Sequence, residues 1–438
     1  MRAYCLALAF LALPAAAQDL LQVYRDAKGY DAQYAAARHA LQAGLEKLPQ
    51  GRALILPTLN LSGNATSTRI DTEPHNRQIP STLRDARSYG YLLSFSQPIY
   101  RAQNLLEYSQ AEHKVKQAEA IFGQAGQDLV VRVAQAYFDV LAAQDTLALV
   151  QAQKAAISEQ LAQAKRNFEV GTATITDTHE AQARFDLSAS QEIAAQNDLE
   201  TKKSALQQIT GKAYAALKPL RQEVKLSPPN PANMQNWVDL AEKQGYPVQI
   251  QETAAEIANL EAKRNAAGHY PTVDLVARYG WTSQTASQLS AVPSNLTTGV
   301  FGVELGLPLY QGGAISSKER EAAANYEKSK QDLENARRSS ALTARQSFLA
   351  VTNGIAQVGA LEQALVSSQS ALDSNKLGYE VGVRINIDVL NAQQQLFSTR
   401  RDLAVARHNT ITSHLRLKAA AGSLREEDLE EVNRALVP

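Results

Sequence analysis

A tandem repeat constrains the possible folds of this chain more than any other feature. Gly171 and Gly382 stand 211 positions apart within two matching segments, residues 168–177 and 379–388. Other matching pairs lie near the same offset, such as residues 97–100 with 307–310 and residues 135–137 with 346–348. Duplication of this kind indicates one structural unit that is built twice. The two halves should therefore share one order of helices and strands.

Each half contains two short segments in which apolar residues alternate with small or polar ones. The alternation is clearest in residues 89–95 of the first half and 301–307 of the second. A period of two over roughly ten residues is typical of a membrane β-strand, so four strands per chain are predicted. The predicted junctions between strands and helices are four prolines, Pro57, Pro98, Pro271 and Pro308.

The alternative for these segments is a pair of soluble hairpins whose apolar faces pack on helices. Two features favour the membrane interpretation. Aromatic residues gather at the strand ends, with Tyr100 and Tyr310 after the prolines and Trp281 at the far side, as is typical of a lipid interface. The connecting stretches, residues 68–86 and 282–298, are polar and are predicted to be exposed loops.

Long helices are predicted between the strand pairs. Residues 101–167 contain no proline, and a heptad spacing of apolar residues predicts a coiled-coil-like helix about 100 Å long. Residues 177–209 and 388–420 predict returning helices of half that length, and residues 20–48 and 238–267 predict further helices. The heptad positions are Leu129, Val133, Ala136, Val140, Ala143, Leu147 and Val150, repeated as Ala344, Phe348, Val351, Ile355 and Val358.

The first residues resemble a secretory signal peptide. Arg2 precedes an apolar stretch and the small residues 15–17, so the mature protein is expected to begin near Gln18. A retained membrane anchor is the alternative, but the apolar stretch is shorter than the roughly 20 residues that span a bilayer. The single cysteine, Cys5, lies inside this segment, so no disulfide is expected. No later apolar run is long enough for a transmembrane helix.

Composition argues against two classes of function. Lys+Arg 44 balance Asp+Glu 44, so no electrostatic case for nucleic-acid binding exists. The seven histidines show no metal-ligand spacing, and the common catalytic motifs are absent. We therefore expect neither an enzyme nor a cofactor or metal. A coiled-coil structural or adhesin-like cell-surface protein is the alternative to a channel.

Four strands cannot close into a barrel, because no strand edge can stay unpaired in hydrocarbon. Two copies would supply eight strands, whose interior is filled by side chains, and three would supply twelve, which leave an aqueous lumen. A conduit needs the larger number, although the sequence alone does not exclude a dimer.

The arrangement resembles the TolC family of outer-membrane efflux proteins over nearly the whole mature chain. The residues that carry the resemblance are the duplicated Val-Gly turns, residues 171–177 and 382–388, and the segment 206–211. The resemblance implies a homotrimer with a 12-stranded β-barrel in the outer membrane, continued by a long α-helical coiled-coil barrel in the periplasm. It also implies a periplasmic adaptor and an inner-membrane transporter as partners, in a tripartite efflux pump or a type I secretion system.

The resemblance also implies a gate at the helical tip farthest from the membrane. Carried over by position, Tyr379 and Arg384 are the predicted latch, with Thr176 and Asp177 as acceptors. For Asp177, an N-capping box with Glu180 is the structural alternative, and Asp388 has the same capping alternative. Asp388 corresponds to an acidic ring at the entrance, where the second ring position is Asn391, and the predicted adaptor-docking residues are Val170, Gly171, Val381 and Gly382.

The predicted organisation is a signal peptide at 1–17, a first repeat at 18–212 and a second repeat at 238–422. An equatorial linker at 213–237 and a C-terminal equatorial segment at 423–438 complete the chain. The sequence does not identify the cargo.

Overall fold

The computed structural model describes residues 17–75, 78, 80–221, 224, 226–285 and 292–437. They divide into two compact units. The helical unit contains residues 17–40, 120–249 and 335–437, and the sheet unit contains residues 41–119 and 250–334. Each unit takes parts of both sequence repeats. Apart from Ala17, the predicted signal peptide with Cys5 lies outside the described residues.

The described part of the chain is mostly helical. The helices are α1 (Leu20–Tyr30), α2 (Ala32–Leu45), α3 (Lys47–Ala53), α4 (Ala102–Glu169), α5 (Ile175–Thr210), α6 (Met234–Gln244), α7 (Tyr246–Ala266), α8 (Ala314–Glu380), α9 (Asn386–Ala420) and α10 (Glu426–Arg434). The long helices α4 and α8 have 68 and 67 residues, and the returning helices α5 and α9 have 36 and 35. The predicted alternation of long and half-length helices is thus confirmed. No helix among the described residues is both long and apolar enough to cross a bilayer.

Two predicted helices are interrupted. Residues 20–48 form α1, α2 and the start of α3, because Asp31 ends α1 and its Oδ1 accepts from the Tyr34 amide at 2.6 Å, as in an N-cap. Residues 238–267 are predicted as one helix, but they contain the second part of α6 and all of α7, which Gly245 separates. A Cβ on Gly245 would lie 2.4 Å from the Ala241 carbonyl oxygen. The close approach of the backbone at this break therefore requires glycine.

The predicted heptad residues of α4 lie in the core of the helical unit. Leu129 and Val133 are fully buried and Val140 is nearly so. They pack in one cluster with Leu20 of α1 and Leu206 of α5. Full burial of each such aliphatic side chain stabilises the fold by about 1.5–3 kcal/mol.

A charged pair also joins Asp31, between α1 and α2, to α4 in the helical unit. Arg132 donates from Nη1 and Nη2 to the two oxygens of Asp31, both at 3.0 Å. These hydrogen bonds hold the pKa of Asp31 below its usual range. The same carboxylate ends α1, so one residue sets both the helix break and the contact with the long helix.

The sheet unit contains one antiparallel sheet in the order β1-β2-β3-β4. Its strands are β1 (Thr58–Thr72), β2 (Thr82–Tyr100), β3 (Thr272–Gln284) and β4 (Ser294–Gly306). Four strands were predicted, but they are longer than ten residues. The loop predicted at residues 68–86 is mostly strand, because the ladder continues to the pair Thr72 and Thr82. The loop predicted at 282–298 is also partly wrong, because residues 282–284 belong to β3 and residues 294–298 to β4; residues 286–291 lie outside the described part of the chain.

Candidate channel surface and helical tip

The sheet carries most of its large apolar side chains on one exposed face. Leu61 on β1 is paired with Leu93 on β2, which is in turn paired with Tyr279 on β3, so the three side chains lie side by side across the sheet. Their exposed fractions are 72%, 37% and 51%. On β4, Phe301 is 78% exposed. A soluble hairpin packed on helices would bury this face, so its exposure favours a lipid-facing surface.

The other face of the sheet carries mostly small or polar residues, with Leu92, Leu296 and Val300 as exposed apolar exceptions. Ser62 and Ser94 lie there, and Arg278 forms an ion pair with Glu304 at 2.9 Å. A Cβ on Gly90 would lie 2.5 Å from the Trp281 carbonyl oxygen, so the close approach of β2 and β3 requires glycine at this position. The two faces thus differ as the outer and inner faces of a membrane barrel do.

The two outer strands have one free edge each. Among the described residues, β1 pairs only with β2, and β4 only with β3. Unpaired backbone groups cost several kcal/mol each in hydrocarbon. A sheet in lipid must therefore continue onto another chain at both edges.

Aromatic rings collect near one end of the paired strands. The Trp281 ring lies 5.7 Å from the ring of Tyr89 and 6.2 Å from that of Tyr91, measured between centroids. At the opposite end Tyr100 and Tyr310 are 41% and 87% exposed. Two aromatic groups separated along the strands are typical of the girdles at the two lipid interfaces.

The four prolines predicted as strand–helix junctions do not occupy equivalent places. Pro57 and Pro271 directly precede β1 and β3, and Pro308 follows the end of β4. Pro98 instead lies inside β2, next to an irregularity of the ladder between Pro98 and Tyr100. Because proline has no amide hydrogen, the strand continues past it only with this local shift.

The junction at the start of α4 contains a strong ion pair. Arg101 donates from Nε and Nη2 to Asp274 of β3 at 2.8 and 2.6 Å. Asp274 is only 8% exposed, so its carboxylate needs this bidentate partner. The predictions from sequence did not include this pair, because its two members belong to different repeats.

At the tip, both helical hairpins turn with the same backbone geometry. Gly171 and Gly382 adopt φ angles of 80° and 77°, which L side chains rarely adopt. The Asn167 carbonyl accepts from the amides of residues 172 and 173, and the Gly378 carbonyl accepts from residues 383 and 384. Val170 and Val381, two of the predicted adaptor-docking residues, are 73% and 65% exposed.

The helix that follows each turn begins differently. In the first hairpin Thr174 caps α5, and Asp177 Oδ2 accepts from the Thr174 amide at 3.0 Å. The expectation that Asp177 is the N-cap, with Glu180 completing the box, is wrong: Thr174 is the N-cap and Asp177 completes the box from the third helical position, because the helix starts earlier than predicted. In the second hairpin Ile385 precedes α9 and supplies no side-chain cap. The Asp388 side chain therefore does not take part in a cap at the start of α9.

The predicted latch residues are only partly brought together within one chain. Tyr379 Oη accepts from Asn167 Nδ2 at 3.1 Å, and not from Thr176 or Asp177. Thr176 is exposed. Arg384 lies over Gly378, and its Nη1 is 3.8 Å from Asp388 Oδ2 within the same hairpin. Asn167 was not predicted from sequence. The equivalent position of the second repeat is Gly378, and this difference between the repeats could have indicated a specific role for the Asn167 side chain.

The two predicted entrance-ring positions lie on one face of α9. Asp388 and Asn391 are three residues apart, which is nearly one helical turn. Asn391 Oδ1 accepts from Arg184 Nη2 of α5 at 2.9 Å. Sequence reasoning also missed Arg184, since nothing in the sequence indicated which residue α5 would place against α9.

One buried amide near the tip has no partner in the described part of the chain. Asn386 is 2% exposed, and neither its Oδ1 nor its Nδ2 forms a hydrogen bond there. A buried polar group without a partner costs about 1–3 kcal/mol. The second hairpin, which lacks a side-chain cap at Ile385, thus also contains this destabilising group.

The described C-terminal residues pack within the helical unit beside residues 217–221. Leu220 and Leu436 form an antiparallel bridge, and Arg221 Nε donates to the Leu436 carbonyl at 2.9 Å. Lys418 donates to Asp428 at 2.8 Å, next to His414. Burial, and then the nearby Lys418 charge, lowers the pKa of His414.

Comparison with known proteins settles the family. The model of the outer membrane efflux protein family matches residues 23–212 and 245–423. The chain belongs to the outer membrane efflux protein family. It is 33% identical over 423 residues to the outer membrane protein TolC of Vibrio cholerae, covering 96% of this chain and 94% of that one.

Two further comparisons agree with this membership. The efflux protein is 31% identical over 430 residues to the proteases secretion protein PrtF of Dickeya chrysanthemi, covering 95% of this chain and 91% of the relative. Its fold matches the outer membrane protein VceC of Vibrio cholerae with a TM-score of 0.79 at 19% identity, over 92% of this chain and 96% of that one. The predicted family and outer-membrane location are confirmed. This family is one of channels and not of enzymes, and the efflux protein is an outer-membrane exit duct.

Proposed function

We propose that three copies of this chain join their sheets edge to edge into a 12-stranded barrel. The observation that carries this proposal is the exposed apolar face of a four-stranded sheet whose two edges are unpaired. Edge pairing between copies satisfies the backbone groups that lipid cannot. Twelve strands leave a water-filled lumen, whereas eight do not.

The long helices of three copies then form the coiled-coil barrel below the membrane. In this arrangement residues 1–17 are removed as a signal peptide, and the repeats 18–212 and 238–422 supply equivalent parts of the wall. Residues 213–237 and 423–438 lie outside the wall at its equator. The contact between Leu220 and Leu436 supports the placement of these two segments beside each other.

The passage is gated at the helical tip. Tyr379, Arg384, Thr176 and Asp177 hold it closed, with Asn167 bonding Tyr379 inside each copy. Because Thr176 is exposed, contacts of Arg384 with Thr176 and Asp177 belong to neighbouring copies in this proposal. Each solvated contact contributes about 0.2–1 kcal/mol, so closure is stable in three copies and still reversible.

A periplasmic adaptor docks at the tip around Val170, Gly171, Val381 and Gly382, and an inner-membrane transporter delivers the cargo. The exposure of both valines supports this site. The relatives are named for protease secretion and for efflux. We assign this exit duct to a tripartite pump or a type I secretion system on that basis.

The test is to purify the mature chain from outer membranes and to measure its oligomeric state and its conductance in planar bilayers. We expect a heat-modifiable trimer that conducts ions. A water-soluble monomer without pore-forming ability would overturn the proposal. A trimer that never conducts would favour the coiled-coil surface protein instead.

A further inference from the structure

Arg184 of α5 places a positive charge against the α9 face that carries Asp388. Its guanidinium donates from Nη2 to Asn391 Oδ1 at 2.9 Å and from Nη1 to Gln394 Oε1 at 2.5 Å. Asn391 follows Asp388 by three positions and lies about 4.5 Å farther along the helix axis, on the same face. The two hydrogen bonds fix the position of the arginine charge near the predicted entrance ring.

The charge of Arg184 is not neutralised by a carboxylate. Both acceptors are neutral amides, and no ion pair among the described residues includes this arginine. Two other cations of the helical unit are paired with carboxylates. Arg407 lies 2.7 Å from Glu362, and Lys154 lies 2.8 Å from Glu192. Since a guanidinium stays protonated in proteins, Arg184 carries a permanent and uncompensated charge.

One neighbouring pair of opposite charges cancels. Arg384 Nη1 lies 3.8 Å from Asp388 Oδ2, so these two residues form a neutral pair at the tip. An aspartate at position 391 would neutralise Arg184, but asparagine stands there and leaves it charged. In a closed ring of copies, each copy adds one such guanidinium at the same level. Asp177 and Glu180 are carboxylates within two turns of Arg184 on α5, so the ring of guanidiniums opposes their effect and makes the field at this level more favourable to anions than it would be without the arginines.

We infer that Arg184 determines charge selectivity at the entrance, where it favours anionic groups such as the carboxylates of an acidic cargo segment. The inference rests on the proposed function, because it requires the tip to be the entrance of the passage. Asn391 and Gln394 act as positioning residues that hold the guanidinium in place. An acidic cargo segment would pass this level more readily than a basic one.

The experiment measures the reversal potential of the trimeric channel in a roughly tenfold KCl gradient at low ionic strength, because the Debye length shrinks to about 10 Å at 0.1 M salt. Arg184→Gln removes the charge and keeps an amide at this position. We expect its ratio of potassium to chloride permeability to rise at least about twofold above that of the unmodified channel. Asn391→Asp, which keeps the arginine and neutralises it, should shift the ratio in the same direction.

Two control variants separate the effect of the Arg184 charge from that of a structural change. Arg184→Lys keeps the charge and should keep the unmodified reversal potential. Arg400→Gln removes an arginine that also bonds a neutral amide, Gln369, at 3.0 Å. Arg400 lies nine positions from Asn391, hence on the opposite side of α9, so its removal should leave the ratio unchanged.

The outcomes distinguish this inference from the function on which it rests. Conducting channels of Arg184→Gln and Asn391→Asp with unmodified reversal potentials would overturn the inference alone. An equal shift of the permeability ratio in Arg400→Gln would also overturn the inference, because the effect would then not depend on where the arginine lies. If the unmodified protein formed no channel, the proposed function would fail and the inference with it.

Discussion

Asn167 on the first hairpin donates a hydrogen bond from Nδ2 to Tyr379 Oη on the second, at 3.1 Å. The two residues are 212 positions apart in the chain. The bond connects the two tip hairpins within one copy. It exists because the repeats differ at this position, where the second half has Gly378.

Removing this bond should loosen the tip. We expect Asn167→Ala to raise the mean single-channel conductance, because a partly buried neutral hydrogen bond stabilises the closed state by about 0.5–1.5 kcal/mol. Tyr379→Phe should have a similar effect, and the double variant should add little. Asn375→Ala is the control, because the Asn375 amide donates to the Ala371 carbonyl of its own helix. Fully additive effects of the two tip variants would contradict a direct coupling.

Combining Arg384→Ser with Tyr379→Phe should raise conductance further than either change alone. Arg384 is 59% exposed in its side chain, so each of its contacts contributes about 0.2–1 kcal/mol and weakens with salt. Bilayer recordings at low and high ionic strength check both statements. An unchanged conductance would remove these two residues from the gate.

The two aspartates at equivalent repeat positions should respond differently to alanine. Asp177→Ala removes the acceptor of the Thr174 amide and should destabilise the start of α5 by about 0.5–1.5 kcal/mol. Asp388→Ala should have little effect on the start of α9, where Ile385 provides no side-chain cap. Hydrogen exchange of the residues after each turn measures this. Equal loss of protection at both turns would refute the difference.

Acid should destabilise the surroundings of His414 in the helical unit. Burial lowers the pKa of this imidazole, so the unfolded chain binds a proton more readily than the folded one. Stability from this group is complete above the unfolded pKa of about 6.5 and is lost as pH falls toward the folded pKa. His414→Gln should reduce the slope of melting temperature against pH between about 7.5 and 5.5. His179→Gln, at an exposed position, is the control, and an unchanged slope in the His414 variant would count against this role.

Local patterns in the sequence predicted most of the fold. The heptad residues Leu129 and Val133 indicated the buried face of α4, because helix periodicity directly reports which side chains meet a core. The alternation of apolar with small or polar residues predicted all four strands, because successive side chains of a strand point to opposite faces of the sheet. The turns at Gly171 and Gly382 were visible because only glycine tolerates that backbone conformation.

The missed features depend on contacts between distant segments. Asn167 meets Tyr379, and Arg101 meets Asp274, only after both repeats have folded, so neither pair has a local signal. The starts of helices were also misjudged. Thr174 caps α5 three residues before the predicted Asp177, because hydroxyl and carboxylate side chains are both good caps and sequence alone does not choose between them.

The most direct test of the proposed barrel is disulfide cross-linking between β1 and β4 in separately tagged copies. One copy carries a cysteine at Leu61 of β1 and the other a cysteine scanned from Val303 to Leu305 of β4. The single cysteine, Cys5, lies in the proposed signal peptide, and its removal would leave the mature chain with no thiol of its own. We expect a disulfide that joins the two tags at one register and links three chains when both cysteines are in every copy. Trimers in which no register between β1 and β4 ever cross-links would contradict edge-to-edge closure of the sheet.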